Sequence, residues 1–226
     1  MKRIISLVIS VVMVATLTGC ISLPTTETVT IETDTPGGTA IPIPDDMQYF
    51  DTIEEAVVHN ELEIVNTNID EIIKLFETDE FAVLFFRKNV NGSDVVNAFR
   101  FAAKEIDGTR SYAAIAATGM SWETHKLTVK RGKVDEIGEV RYCIASDILR
   151  YFRIDDTKNF FWGLSQTERV RSLRIEGQLV TEVIEVELDG ETAFFWYFKD
   201  VKTDKRPVFK DLREYTEGEF IITMDE

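Results

Sequence analysis

The sequence predicts an α+β domain built mostly from antiparallel β-meanders and hairpins, with one short helix near its start. Three observations carry that reading. The pairs Asn91-Gly92, Asp107-Gly108 and Asp189-Gly190 each separate two apolar, strand-like runs. Asn-Gly and Asp-Gly suit two-residue hairpin loops, whose central residues both take positive φ. A capping-box pattern, Thr52-Ile53-Glu54-Glu55, opens an amphipathic stretch. The strand–helix alternation that builds parallel sheets is missing.

In chain order, Ile53, Ala56 and Val57 follow the cap at helical spacing and predict a helix over residues 52–64. Glu54 and Glu55 lie in its first turn, where they suit the positive end of the helix dipole. Ile72 to Phe76 and Phe81 to Val90 read as strands joined at Thr78-Asp79, and Val95 to Ile106 and Ser111 to Thr118 complete a meander. Ala113 to Ala117 is rich in the best helix former. The Asp107-Gly108 turn nevertheless aims that run back along its neighbour, so it is read as strand. Val140, Tyr142 and Ile144 alternate with Arg141, Cys143 and Ala145, which predicts a strand, with Ser146-Asp147 capping a single turn through Phe152. Phe160 to Gly163 and Val170 to Ile175 read as further strands. Val180 to Leu188 and Glu191 to Lys199 flank Asp189-Gly190, while Val208 to Tyr215 and Phe220 to Met224 flank Glu217-Gly218. At an offset of 111, Glu71 to Val90 overlays Glu182 to Val201, with Glu71/Glu182, Ile73/Ile184, Ala82/Ala193 and Lys88/Lys199 identical. That overlay is compatible with two related β modules, over residues 47–122 and 123–226.

Ahead of this domain the chain has a different character. Lys2 and Arg3 precede an apolar stretch, Ile4 to Leu17, broken only by Ser6, Ser10 and Thr16. A bilayer span needs about 20 apolar residues, so the segment is short for a permanent transmembrane helix and has the build of an export signal. It ends in Leu17-Thr18-Gly19-Cys20. This run resembles the lipobox of bacterial lipoproteins: an aliphatic residue, two small residues, then cysteine. The resemblance implies that residues 1–19 are a signal peptide removed on export. It also implies that Cys20 carries a diacylglyceryl thioether and palmitate-type chains, holding the protein on the extracytoplasmic face of the cell membrane. One acyl chain binds a membrane marginally, whereas two or three on one residue anchor it durably. Residues 20–46 then read as a disordered tether with seven threonines, four prolines and Gly37-Gly38. No Lys or Arg occurs from residue 4 through 73, and residues 21–73 carry twelve acidic residues. From Trp162 onward the layout resembles β-rich domains of uncharacterised Gram-positive surface lipoproteins, a resemblance that carries no catalytic motif and no activity.

The formal net charge is −15, and losing residues 1–19, which hold Lys2 and Arg3 and no acid, takes it to −17. Such a balance argues against nucleic-acid binding and against attraction to anionic lipid or anionic wall polymer. With Cys20 committed to lipid, Cys143 has no partner within the chain, so no disulfide framework is expected. None of the G-x-S-x-G, Walker A, G-x-G-x-x-G, H-E-x-x-H or C-x-x-C patterns is present. His59 and Glu63 share a helix face, but one helix offers too few ligands for a metal. His125, placed in a loop after Trp122-Glu123-Thr124, could pair with Cys143 as base and nucleophile. An unpaired cysteine in an apolar run is more often a small buried hydrophobe. Asp155-Asp156 reads as a turn and lacks the D-x-D-x-D-G pattern of a calcium loop. Phe194 to Phe198 is wholly aromatic, and alternation puts Phe194, Trp196 and Phe198 on one face, Phe195 and Tyr197 on the other. Two readings stand: a central strand covered on both faces, or an exposed aromatic binding surface on Phe194, Trp196 and Phe198. No cofactor or metal is expected. The sequence favours a non-catalytic, lipid-anchored protein that binds another protein or a small ligand at the membrane or cell wall. A transporter's solute-binding accessory lipoprotein and a secreted hydrolase are the alternatives.

Overall fold

Thr52 starts the domain's first helix, its Oγ1 accepting the Glu55 amide at 3.2 Å. In the computed structural model, the described residues are 47–60, 62, 68–146, 160–203 and 220–225, all within one unit, Gly37–Glu226. The lipobox residues Leu17, Thr18, Gly19 and Cys20, the tether, Asp155-Asp156, and the predicted strand over 208–215 with its Glu217-Gly218 turn lie outside them. Helix α1 is Ile53–Val58, shorter than predicted.

Four strands follow: β1 (Glu71–Glu77), β2 (Phe81–Val90), β3 (Ser93–Ile106) and β4 (Thr109–Ser121). They form one antiparallel sheet in the order β1-β2-β3-β4, as the turn signals predicted. Asn91 and Gly92 take φ of 54° and 90°, and Val90 pairs with Ser93, so the loop has two residues of the type that matches strand twist. Asp107-Gly108 and Asp189-Gly190 repeat this geometry.

The single predicted helix is a correction point, because the described residues hold three. Helix α2 (Trp122–Gly132) stands where a loop was expected around His125, and helix α3 (Glu136–Ser146) where the alternation over 140–145 predicted a strand. Val140, Cys143 and Ile144, all buried, are spaced i, i+3 and i+4, so the residues that alternate also make one helical stripe. Local chemistry decides for helix. Ser121 Oγ accepts the Thr124 amide at 3.3 Å, and Asp135 Oδ1 accepts the Gly138 amide at 2.7 Å. Helix α2 ends on paired backbone bonds, Lys133 to Lys130 and Val134 to Val129, with Lys133 in the left-handed region at φ 50°.

Beyond α3 come β5 (Phe161–Ser165), a 3-10 turn (Glu168–Ser172), β6 (Arg174–Ile175), β7 (Gln178–Leu179), β8 (Glu182–Leu188), β9 (Glu191–Phe198) and β10 (Ile222–Thr223). The predicted strand over 170–175 is mostly that 3-10 turn, whose first free amide Thr167 caps. Strands β5-β9-β8 make a second antiparallel sheet, and β10-β6-β7 a small third one.

The two larger sheets pack face to face. Phe76, Val83, Phe85, Val96 and Ala98 from the first meet Trp162, Leu164, Leu188, Phe195 and Tyr197 from the second. Phe85 lies 5.0 Å from both Trp162 and Phe195, ring centre to ring centre. Aromatic pairs of this kind add about 0.5–1.5 kcal/mol beyond the area they bury. On the outer face of the first sheet, Leu84, Phe86, Phe99 and Phe101 are covered by Ile53, Ala56 and Val57 of α1. On the outer face of the second, Phe194, Trp196 and Phe198 are covered by α3, Val170, Leu173 and Ile175. The order of layers is therefore helix, sheet, sheet, then helix with the 3-10 turn.

The sequence overlay at offset 111 matches β1 to β8 residue for residue. Faces match at Ile73 and Ile184, which both pack on the core between the sheets, but not over β2 and β9, where Ala82 points toward α1 and Ala193 into that core.

Candidate functional site

The two helices that the periodicity concealed bring most of the chemistry-bearing side chains together. His125 of α2, Glu139 and Cys143 of α3, and Ser165 at the end of β5 are all buried. Glu139 is the centre of the group. His125 Nε2 donates to its Oε1 at 2.8 Å, Ser165 Oγ donates to its Oε2 at 2.8 Å, and Gln166 Nε2 donates to Oε1 at 3.3 Å. Ser165 Oγ in turn accepts the Thr167 amide at 3.2 Å. The His125 ring stacks on Trp122 at 5.5 Å with 13° between planes, and its Nδ1 is buried without a partner among the described residues.

This arrangement corrects the placement of His125, which sits inside a helix instead of a loop. It also separates the roles that a thiol nucleophile would need. The Cys143 thiol donates to the Leu164 carbonyl at 3.4 Å, and His125 is committed to Glu139. Burial pushes the Cys143 thiol far above its ordinary pKa, and the Glu139 carboxylate adds to that, so the reactive thiolate is suppressed. Ser165 offers no better nucleophile, since its proton is directed at Glu139 and no surface of it is exposed. Chemically the group is a hydrogen-bond hub that ties α2, α3 and β5 together.

Gly163 shows how tightly this region packs. A Cβ there would lie 2.5 Å from both Cys143 Cβ and Trp196 Cζ2, and 2.7 Å from Cys143 Sγ. Gly163, at the end of the predicted strand Phe160 to Gly163, is thus the place where α3 approaches β5.

Of the two readings of the aromatic run, the exposed surface on Phe194, Trp196 and Phe198 is not met. Phe194, Trp196 and Phe198 are buried on the helix side of β9, and Phe195 and Tyr197 are buried between the sheets. Strand β9 is central in its sheet, and the first sheet on one side and α3 with the 3-10 turn on the other cover its two faces, as the covered-strand reading held. His59 follows α1, exposed and stacked on Phe50 at 5.6 Å. It borders a cavity of about 30 Å³ with Met47, Phe50, Asn60 and Ala114, room for a water and not for a substrate. Glu63 lies outside the described residues. Among the described residues no three His, Cys, Asp or Glu side chains are grouped to hold a metal ion.

A second polar device joins the sheets. Asp94 at the start of β3 and Asp189 in the β8–β9 turn exchange bonds: the Asp94 amide donates to Asp189 Oδ1 at 2.6 Å, and the Asp189 amide to Asp94 Oδ2 at 2.7 Å. Burial raises the Asp94 carboxyl, but the Asp189 amide, the Asn89 side chain and Arg87 outweigh it and hold it below the usual carboxylate range. Sequence reading missed Glu139 and this clasp, because each depends on residues far apart in the chain.

Among the described residues, no helix is long and apolar enough to cross a membrane. No protein-family model, curated protein or solved structure matches this chain.

Proposed function

We propose that this protein is a lipid-anchored, extracytoplasmic surface lipoprotein whose β-rich domain works without catalysis, binding a protein or a small ligand at the membrane or cell wall. The observation that carries the reading is Leu17-Thr18-Gly19-Cys20 at the end of a short apolar stretch with a basic start. Palmitate-type acylation of Cys20 anchors the chain, and the Thr- and Pro-rich tether gives it reach. The non-catalytic part of the reading draws support from the hub. His125, Cys143 and Ser165, the side chains best suited to nucleophilic chemistry, are buried and committed to hydrogen bonds. The hydrolase alternative built on Cys143 and His125 loses its motivation on the same geometry.

Labelling cells with radioactive palmitate tests the anchor. The wild-type chain takes up label and sediments with membranes. Cys20→Ala takes up none and keeps its full-length signal segment. Equal labelling and equal processing of Cys20→Ala would remove the proposal.

A further inference from the structure

We propose that the solvent face of α2 is the surface by which the domain rests on an anionic phospholipid bilayer; this rests on the lipid-anchor reading above. Residues 124–134 contain Lys126, Lys130, Arg131 and Lys133 and no acidic residue, in a chain with 40 acidic against 25 basic side chains. The helix is two-sided. Trp122 and His125 are buried toward the hub. Leu127, Lys130 and Arg131, at i, i+3 and i+4, form the opposite stripe, and Lys133 and Val134 follow it just past the helix end. Leu127 is 41 % exposed and Val134 39 %, so two aliphatic side chains stand in water beside the cations. A basic helix face with apolar side chains at its edge matches a bilayer interface, where cations meet headgroup phosphates and apolar groups enter the acyl boundary.

The cations are available. Lys126 is engaged by Glu191 at 2.6 Å, but Lys130, Arg131 and Lys133 are exposed and form no salt bridge with a described residue. The nearby acids are otherwise placed. Asp135 caps α3 through the Gly138 amide, Glu136 pairs with Arg169, and Glu123 lies two turns before Lys130, roughly 10 Å along the axis. Lys130 and Arg131 also complement the negative end of the helix dipole. That accounts for neither Lys133, past the helix end, nor the exposed Leu127 and Val134.

The negative charge of the whole chain does not forbid this contact. At physiological salt a charge is felt over about 8 Å, so a bilayer responds to the face it touches and not to the sum. Each Lys or Arg near an anionic leaflet strengthens partitioning roughly fivefold, and three give on the order of a hundredfold. For a domain already tethered by lipid, that is enough to choose which side faces the membrane.

The test uses the full lipidated protein in vesicles of phosphatidylcholine alone, or with about 30 % phosphatidylglycerol. Flotation reports the anchor, and amine acetylation mapped by mass spectrometry reports the face. Phosphatidylglycerol is expected to slow labelling of Lys130 and Lys133 at least tenfold while Lys202 is unchanged. High salt should erase the protection, and Arg131→Glu should weaken it in the same vesicles. Flotation with equal labelling in both vesicle types overturns the α2 contact and leaves the anchor standing; an acidic protein partner on this face would give that same result. Failure to float in either vesicle overturns the anchor reading and this inference with it.

Discussion

Gly163 and Asp94 show how single residues set the packing. A methyl group at Gly163 has no space, because Cys143 and Trp196 already close around the backbone. Gly163→Ala is expected to destabilise the domain by about 1–3 kcal/mol, read as a lowered denaturation midpoint without loss of the two-state transition. An unchanged midpoint would mean that α3 does not sit against β5. Asp94 acts through charge. Its folded carboxyl is held below the usual range, so its contribution is present above the unfolded pKa and fades as pH falls through the lower folded one. Asp94→Asn puts a donor where the Asp189 amide or the Asn89 side chain also donates, and should cost about 1–3 kcal/mol at neutral pH. The gap between variant and wild type should narrow below about pH 4 in unfolding curves taken across pH. A gap that stays constant to acid pH would show that the charge of Asp94 is not what the clasp uses.

The helical hairpin of α2 and α3 depends on Glu139. Removing that side chain leaves His125 Nε2 and Ser165 Oγ buried without an acceptor. Glu139→Ala is therefore expected to cost about 2–5 kcal/mol, and Glu139→Gln less because one oxygen still accepts. Thermal unfolding of the two variants checks the order; equal cost for both would count against the hub. This element was also the least legible in the sequence. The meander could be read directly, since Asn91-Gly92 and Asp107-Gly108 dictate their own backbone and the strands follow from them. At 140–145 the apolar spacing fits helix and strand alike, and the caps at Ser121 and Asp135 were the discriminating signal for the two helices. The burial of Glu139 had no local signal, because its partners come from α2 and from β5, 14 and 26 residues away.

At the scale of the whole molecule, two sheets share one aromatic core and each is backed by helix on its outer face. That layering explains why Phe194 to Phe198 could be read two ways. Five consecutive aromatic residues fit an exposed face or a strand buried on both sides, and only the presence of α3 over β9 decides between them. It also turns attention from the interior to the surface: His125, Cys143 and Ser165 are buried and hydrogen-bonded within the fold, and the proposed binding role would fall to the outer faces. Lipidation at Cys20 can be read from the intact mass of the protein extracted from membranes. The expected mass is that of a chain beginning at Cys20 and carrying a diacylglyceryl group. A mass equal to the unmodified chain from Met1 would contradict it.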